Sequence, residues 1–154
     1  MTATNHVLTG AVIATVVGSP VLAVPLAFAS HFVLDAIPHF GIHEDDTLKR
    51  NGHWLFRAVV TTDTILTIVA LALVPIALHN AVNAWTVLVA MLAALVPDLL
   101  WIPHFIHEIR HKVARTRTRF MLWHQRIQWS ETPLGLIVEL LWATAAITVM
   151  VLAT

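Results

Sequence analysis

Two histidines and an aspartate recur at four-residue spacing near the end of a long apolar run. His31, Asp35 and His39 therefore share one face of a helix, although Pro38 is expected to end that helix before His39. Imidazole nitrogens and carboxylate oxygens are both ligands for divalent metals such as zinc. A helix-end ion pair is the alternative interpretation. Because ionisable groups in membrane segments are costly and usually functional, we favour a metal site.

Other ionisable residues are expected at the same depth along their own helices. Asp63 lies one to two turns inside the second apolar stretch, Asp98 closes the third, and His124 precedes the last. His6 joins them only if the chain folds back at Gly18. The predicted ligands of a divalent metal, zinc in the first instance, are His6, His31, Asp35, Asp98 and His124. The candidate catalytic carboxylates are those of Asp35 and Asp63.

The elements that would position these side chains are apolar enough for a membrane. Of the 154 residues, 58% are hydrophobic and 12% are charged, and cysteine is absent. A spanning helix needs roughly 20 apolar residues, which residues 7–36, 58–78, 84–102 and 134–153 supply. The length allows one membrane-embedded helical domain over residues 1–154. The formal net charge is zero, so no overall field argues for nucleic acid.

The first apolar stretch, residues 7–36, is interrupted at Gly18-Ser19-Pro20. A single helix of this length would reach about 45 Å, well beyond the hydrocarbon layer. Two antiparallel arms are favoured over one kinked span, because the nearly equal arms return His6 to the level of His31. The predicted fold is therefore an all-α integral membrane protein with an N-terminal helical hairpin, three further transmembrane helices and a basic interfacial helix.

Lysine and arginine are confined to two polar segments, residues 39–57 and 103–133. In the predicted topology both segments lie on one side of the membrane, which the positive-inside rule assigns to the cytoplasm. We expect a bacterial or archaeal cytoplasmic membrane. The second segment is expected to contact anionic lipid headgroups through Arg110, Lys112, Arg115, Arg117, Arg119 and Arg126.

A metalloprotease-like motif also occurs, at His107-Glu108-Ile109-Arg110-His111. On a helix this spacing places two zinc ligands on one face beside a general base. The cation of Arg110 between the ligands, and the basic flanks, favour an amphipathic surface helix instead. Glu139, inside the last apolar stretch, could cap a hydrogen bond within the bundle, stay protonated or reach the site.

Several short motifs resemble the YdjM-like family of inner-membrane proteins assigned as metal-dependent hydrolases. They are Thr4-Asn5-His6-Val-Leu-Thr-Gly10-Ala, Ser30-His31-x-x-x-Asp35-x-x-Pro38-His39, Val96-Pro97-Asp98 and His124-x-Arg126. The resemblance implies metal ligation by His6, His31, Asp35 and Asp98. Where that family has Pro-Asp-x-Asp-His, this chain has Pro97-Asp98-Leu-Leu-Trp101.

The expected function is a membrane-embedded metal-dependent hydrolase that acts at the cytoplasmic interface, with a phosphoester as the first substrate class to test. A non-catalytic small membrane subunit that packs against partner helices is one alternative. A zincin-type membrane protease using His107, Glu108 and His111 is another, and an ion or proton pathway through Asp63 and Glu139 is a further one. Membrane lipid is the expected partner, and a homo-oligomer or a partner subunit is compatible with the sequence.

Overall fold

The computed structural model describes residues 1–42, 53–113 and 115–154, and most of these residues are helical. The helices are α1 (Ala3–Val17), α2 (Pro20–Ala36), α3 (Trp54–Ala77), α4 (Ala84–Leu99), α5 (Ile102–His111), α6 (Arg119–Ile127) and α7 (Gly135–Leu152). The strands β1 (His39–Phe40) and β2 (Glu131–Thr132) form a parallel ladder of two residues each. The all-α prediction is confirmed for the described residues, with this small ladder added. Lys49 and Arg50, which belong to the first basic segment, lie outside the described residues.

The N-terminal hairpin has the predicted turn. Gly18 adopts φ 71°, the left-handed conformation that glycine tolerates best, and its N–H donates to the Ala14 carbonyl at 2.8 Å. Pro20 is the first residue of α2, where its missing N–H costs no helical hydrogen bond. At the other end of α2, Ile37 is extended because Pro38 follows it, so the helix ends at Ala36 as expected.

Helix α1 lies at the centre of the bundle. Its residues 5–11 are all buried, as expected for a helix that is packed on every side, and it contacts α2, α3, α4 and α7. A Cβ on Gly10 would lie 2.7 Å from the Ala90 carbonyl oxygen and 2.9 Å from Met91 Cα. The backbones of α1 and α4 are therefore in direct contact, one helical turn from His6 and from Ala94.

Two helices, α3 with 24 residues and α7 with 18, are long and apolar enough to cross a membrane. Helix α4 has 16 residues and qualifies only together with α5, from which it is bent by 40°. At 1.5 Å per residue the hairpin helices reach about 22 and 26 Å, less than a hydrocarbon core of about 30 Å. The composition agrees with a membrane protein, but the predicted three spans beyond the hairpin are not confirmed.

The basic segment forms two short helices where the sequence indicated one. Lys112, with φ 55°, ends α5, and α6 begins at Arg119. Both helices expose large apolar side chains beside their cations, among them Ile106, Ile109, Leu122 and Trp123. This mixed surface has the composition of an interfacial helix.

Candidate metal centre

Four of the predicted ligands meet in the interior of the bundle, beside a fifth at its edge. His6 comes from α1, His31 and Asp35 from the C-terminal half of α2, and His124 from α6, and all four side chains have 0% exposure. Asp98, near the end of α4, is 29% exposed. The hairpin prediction is confirmed at this point, because the His6 and His31 rings stack with centroids 3.9 Å apart.

The Asp35 carboxylate is at the centre of this cluster. Its Oδ1 lies 3.1 Å from His6 Nε2 and also contacts the amino nitrogen of Met1. Its Oδ2 lies 2.7 Å from His124 Nε2 and 3.1 Å from the amide nitrogen of Gln128. An ionised carboxylate offers about four acceptor positions. Donors from His6, His124, Gln128 and the Met1 amino group therefore occupy most of its capacity.

The tautomer of His31 follows from a backbone contact. His31 Nδ1 lies 2.8 Å from the carbonyl oxygen of Ala94, which can only accept, so Nδ1 carries the hydrogen. In the neutral ring Nε2 then has a lone pair. This nitrogen lies 3.2 Å from Asp35 Oδ2 and 3.7 Å from Asp98 Oδ1. A nitrogen that faces two carboxylates is stabilised by a positive charge, either a proton on Nε2 or a metal ion.

His124 has the opposite tautomer. The indole N–H of Trp101 donates to His124 Nδ1 at 3.2 Å, and an indole nitrogen can only donate. The hydrogen of a neutral His124 ring is therefore on Nε2, where it is donated to Asp35 Oδ2. His31 Nε2 is also close, at 3.1 Å. To ligate a metal through Nε2, His124 would have to give up its hydrogen bond with Trp101.

His6 is left with an unpaired nitrogen. Its Nε2 contacts Asp35, whereas its Nδ1 is buried and has no hydrogen-bond partner among the described residues. A buried polar atom without a partner costs about 1–3 kcal/mol. Metal-binding histidines commonly donate their second ring nitrogen to a carboxylate, which is the relation between His6 and Asp35.

Two overlapping sets of side chains have ligand atoms within 4.8 Å of one another and could hold a metal ion. One set is His6, His31 and Asp98, and the other is His31, Asp35 and His124. The first set uses the lone pair of His31, and if His6 ligates through its unpaired Nδ1, the hydrogen bonds of Asp35 with His6 and His124 stay in place. The residues present therefore fit a divalent cation, and they fit it best in the first set.

An aromatic wall covers the cluster on the side of α6. The Phe32 ring lies 5.3 Å from His31, 5.5 Å from His124 and 5.0 Å from Trp123, measured between centroids. Low dielectric around the cluster strengthens the interactions of its charges. The Arg117 guanidinium lies 5.8 Å from the centroid of the Trp101 ring. Since Trp101 contacts His124, the Trp101 side chain connects this cation to the cluster.

Asp63 is a correction to the predicted site, because its carboxylate is not part of the cluster. Its two oxygens accept hydrogen bonds from the backbone N–H groups of Ala3 and Thr4, both at 2.9 Å. Asp63 thus caps the first turn of α1, where unpaired N–H groups and the helix dipole favour an anion. Its depth along α3 could be predicted from the sequence, but depth does not determine which neighbouring helix the side chain faces.

Glu139 also binds the start of α1. Its Oε2 accepts from Thr2 N at 3.0 Å and from the Asn5 amide at 3.1 Å, and its Oε1 accepts from Phe40 N at 3.0 Å. Of the three roles considered for it, capping inside the bundle is the one that these contacts describe. His39, which follows His31 and Asp35 at four-residue spacing, lies beyond the end of α2 in β1, where its Nε2 is 3.8 Å from Glu131 Oε1.

The His107-Glu108-x-x-His111 motif lies on α5, with the two histidine ring centroids 4.6 Å apart. Glu108 is buried, whereas His111 is exposed. Within residues 1–42, 53–113 and 115–154, the metal-binding groups formed by three or more ligand side chains do not include either histidine. The surface-helix interpretation of this motif is the one that agrees with its exposure.

Three members of the site were not predicted from the sequence. Trp101 and Gln128 hydrogen-bond to the cluster, and the Ala94 carbonyl fixes the His31 ring. From the sequence, Trp101 was expected at the membrane interface, where tryptophan is enriched at the ends of spanning helices. Its position three residues after Asp98 could have indicated a role in the site, because a helix that brings Asp98 to the cluster also brings the next turn of the chain.

Together, these features define a helical protein of membrane composition with a buried histidine and aspartate cluster. Searches for a matching family model, a similar curated protein and a similar solved structure found none.

Proposed function

We propose that this protein is a membrane-embedded metal-dependent hydrolase whose cation is held by His6, His31 and Asp98. The observation that carries the proposal is the hydrogen-bond pattern of the cluster. His31 Nε2 faces two carboxylates, and His6 Nδ1 is buried without a partner among the residues that the structure describes. An unpaired buried nitrogen is unfavourable in an apolar interior, and two carboxylates facing one nitrogen favour a positive charge, which a metal ion or a proton on Nε2 supplies.

The chain's own residues then have distinct roles. Asp35 orients the rings of His6 and His124 through its two oxygens. Trp101 and the Ala94 carbonyl fix the tautomers of His124 and His31. When bound, a divalent metal would supply a water of lowered pKa as the nucleophile. Asp98, the partly exposed member, lies where a substrate can approach the buried cluster.

A phosphoester of a lipid is the proposed substrate class. Arg117 contacts the Trp101 ring next to His124, and a guanidinium pairs with phosphate oxygens through two parallel hydrogen bonds. The exposed cations of α5 and α6 would contact anionic headgroups at the same level. Replacing Arg117 with Gln should raise the KM for phosphatidic acid in mixed micelles by about tenfold, whereas Arg119→Gln serves as the matched control.

The topology belongs to the same proposal. The described cations lie at the start of α3 and in α5, α6 and the segment between them, so the positive-inside rule would make this end of the bundle cytoplasmic. The cluster would then act at the cytoplasmic interface. Membership of the YdjM-like family stays a prediction, as does association with a second copy or a partner subunit.

Metal content of the purified protein tests the proposal. We expect about one zinc ion per chain, released by a chelator and bound again, and lost in His31→Ala and Asp98→Ala. His111→Ala, the control on the other motif, should keep its metal. If none of the preparations binds metal, the non-catalytic subunit becomes the better description. If Glu108→Gln abolishes hydrolysis while His31→Ala does not, the protease alternative is correct.

A further inference from the structure

Helix α5 turns its apolar face away from the protein. One face carries isoleucines at i, i+4 and i+7 that are 47%, 44% and 47% exposed, namely Ile102, Ile106 and Ile109. The opposite face carries, at the same spacing, His104, Glu108 and His111. Glu108 is buried and His104 is partly buried. A surface helix of a protein in water has the reverse arrangement, with its apolar stripe on the core, so the surroundings of α5 are apolar.

The chain around this exposed stripe is strongly basic. Between residues 99 and 130 the sequence has a single carboxylate, that of Glu108, and its side chain is buried. The cations of the same stretch are all exposed except the partly buried Arg117, and they are Arg110, Lys112, Arg115, Arg117, Arg119 and Arg126. The surface that α5 contacts must therefore offer hydrocarbon and negative charge side by side, as an anionic lipid leaflet does.

Trp101 connects α5 to the histidine and aspartate cluster. Its backbone carbonyl accepts the N–H groups of His104 and Phe105, both at 3.0 Å, and these hydrogen bonds begin α5. Its indole N–H donates to His124 Nδ1 at 3.2 Å. Because α4 ends at Leu99 and α5 is bent from it by 40°, the position of Trp101 depends on how α5 lies against the bundle. A tilt of α5 therefore changes the hydrogen bond to His124.

We propose that an anionic lipid leaflet holds α5 in this orientation and thereby tightens the metal centre. The isoleucine face enters the acyl layer, the cations beside it meet the headgroups, and Trp101 stays within hydrogen-bonding distance of His124. The lipid is an effector of the site and is not consumed. This inference rests on the metal set of the proposed function, but it does not depend on hydrolysis.

Fluorescence quenching tests the orientation of α5 without reference to metal. The chain has no cysteine, so Ile109→Cys and His111→Cys each provide a single position for a bimane label, on opposite faces of α5. In vesicles of phosphatidylcholine and phosphatidylglycerol, lipids brominated on their acyl chains should quench the label at position 109 and leave the label at position 111 nearly unchanged. Equal quenching at both positions would refute the contact of the isoleucine face with lipid.

Zinc affinity in vesicles with and without phosphatidylglycerol tests the effect on the metal centre, by competition with a chelator. Anionic lipid also concentrates zinc at the membrane surface, but it does so equally for every variant. Beyond that shared gain, the wild type should bind zinc up to about fivefold more tightly in anionic vesicles, as expected from one hydrogen bond. Trp101→Phe and Ile106→Ser should lose this extra gain. Ile147→Ser, at a position of α7 with 49% exposure, should keep it.

The possible outcomes separate this inference from the metal proposal itself. If anionic lipid raises the zinc affinity of the wild type and of Trp101→Phe by the same factor, the effect does not pass through Trp101. The inference is then wrong, while the metal site stands. If zinc binds in neither membrane, the metal proposal and this effect on it are both wrong, whatever the labels show.

Discussion

Trp101→Phe distinguishes between the two possible metal sets. The substitution keeps an aromatic ring on the cluster but removes the N–H that donates to His124 Nδ1 at 3.2 Å. If the cation is held by His6, His31 and Asp98, this hydrogen bond supports the site from outside. If His124 itself is a ligand through Nε2, the same hydrogen bond opposes binding, because it requires Nδ1 to be an acceptor.

The size of the effect follows from that one contact. At 3.2 Å the bond is at the long end for N–H donors, so we take its net contribution as about 1 kcal/mol. This corresponds to about a fivefold change in the dissociation constant. We expect zinc affinity to fall by up to this factor in Trp101→Phe, since Asp35 then orients a less restrained His124.

A competition titration with a chromophoric zinc chelator measures the change. Trp123→Phe is the control, because Trp123 contacts the cluster region through its ring, against Phe32. An affinity that rises about fivefold in Trp101→Phe would show that His124 is a ligand, and the division between ligands and orienting residues would have to be reversed.

Three further substitutions test how the bundle is held together. Glu139→Gln should lower the free energy of unfolding by about 2 kcal/mol, because one carboxylate oxygen is replaced by an NH2 group that faces a backbone N–H. Unfolding in mixed micelles measures this change, and Glu131→Gln is the control. Gly10→Ala should cost about 1–3 kcal/mol in the same assay, since its Cβ would lie 2.7 Å from a carbonyl of α4, and a stability equal to that of wild type would contradict the close helix contact. Gly135→Ala should abolish stable folding, because its Cβ would lie 2.0 Å from the His39 carbonyl group; a folded variant with native helical content would show that β1 can move away.

The sequence was informative where a signal is local. Four-residue spacing placed His31 and Asp35 on one face, and Gly18 with Pro20 marked the turn that returns His6 to them. Such signals state the position of a side chain along its helix. The depth of Asp63 was therefore available from the sequence, but its rotation toward the start of α1 depends on how α3 packs.

The remaining features depend on contacts between distant segments. The ladder of His39 with Glu131 joins strands of two residues each, too short to leave a pattern. The predicted number of spanning helices is not confirmed, because an apolar run in the sequence does not show where its helix ends. A break at Leu100 and Trp101 leaves α4 with 16 residues, and the run continues only across a bend.

The way Asp35 is surrounded has a consequence for biosynthesis. His6 and His31 belong to the same hairpin as this carboxylate, but His124 and Gln128 are added to the chain only after α3, α4 and α5 have been made. Until those residues have been made, the carboxylate of the hairpin is incompletely paired. A chain truncated before His124 would leave Asp35 Oδ2 without the two donors that it has in the folded bundle.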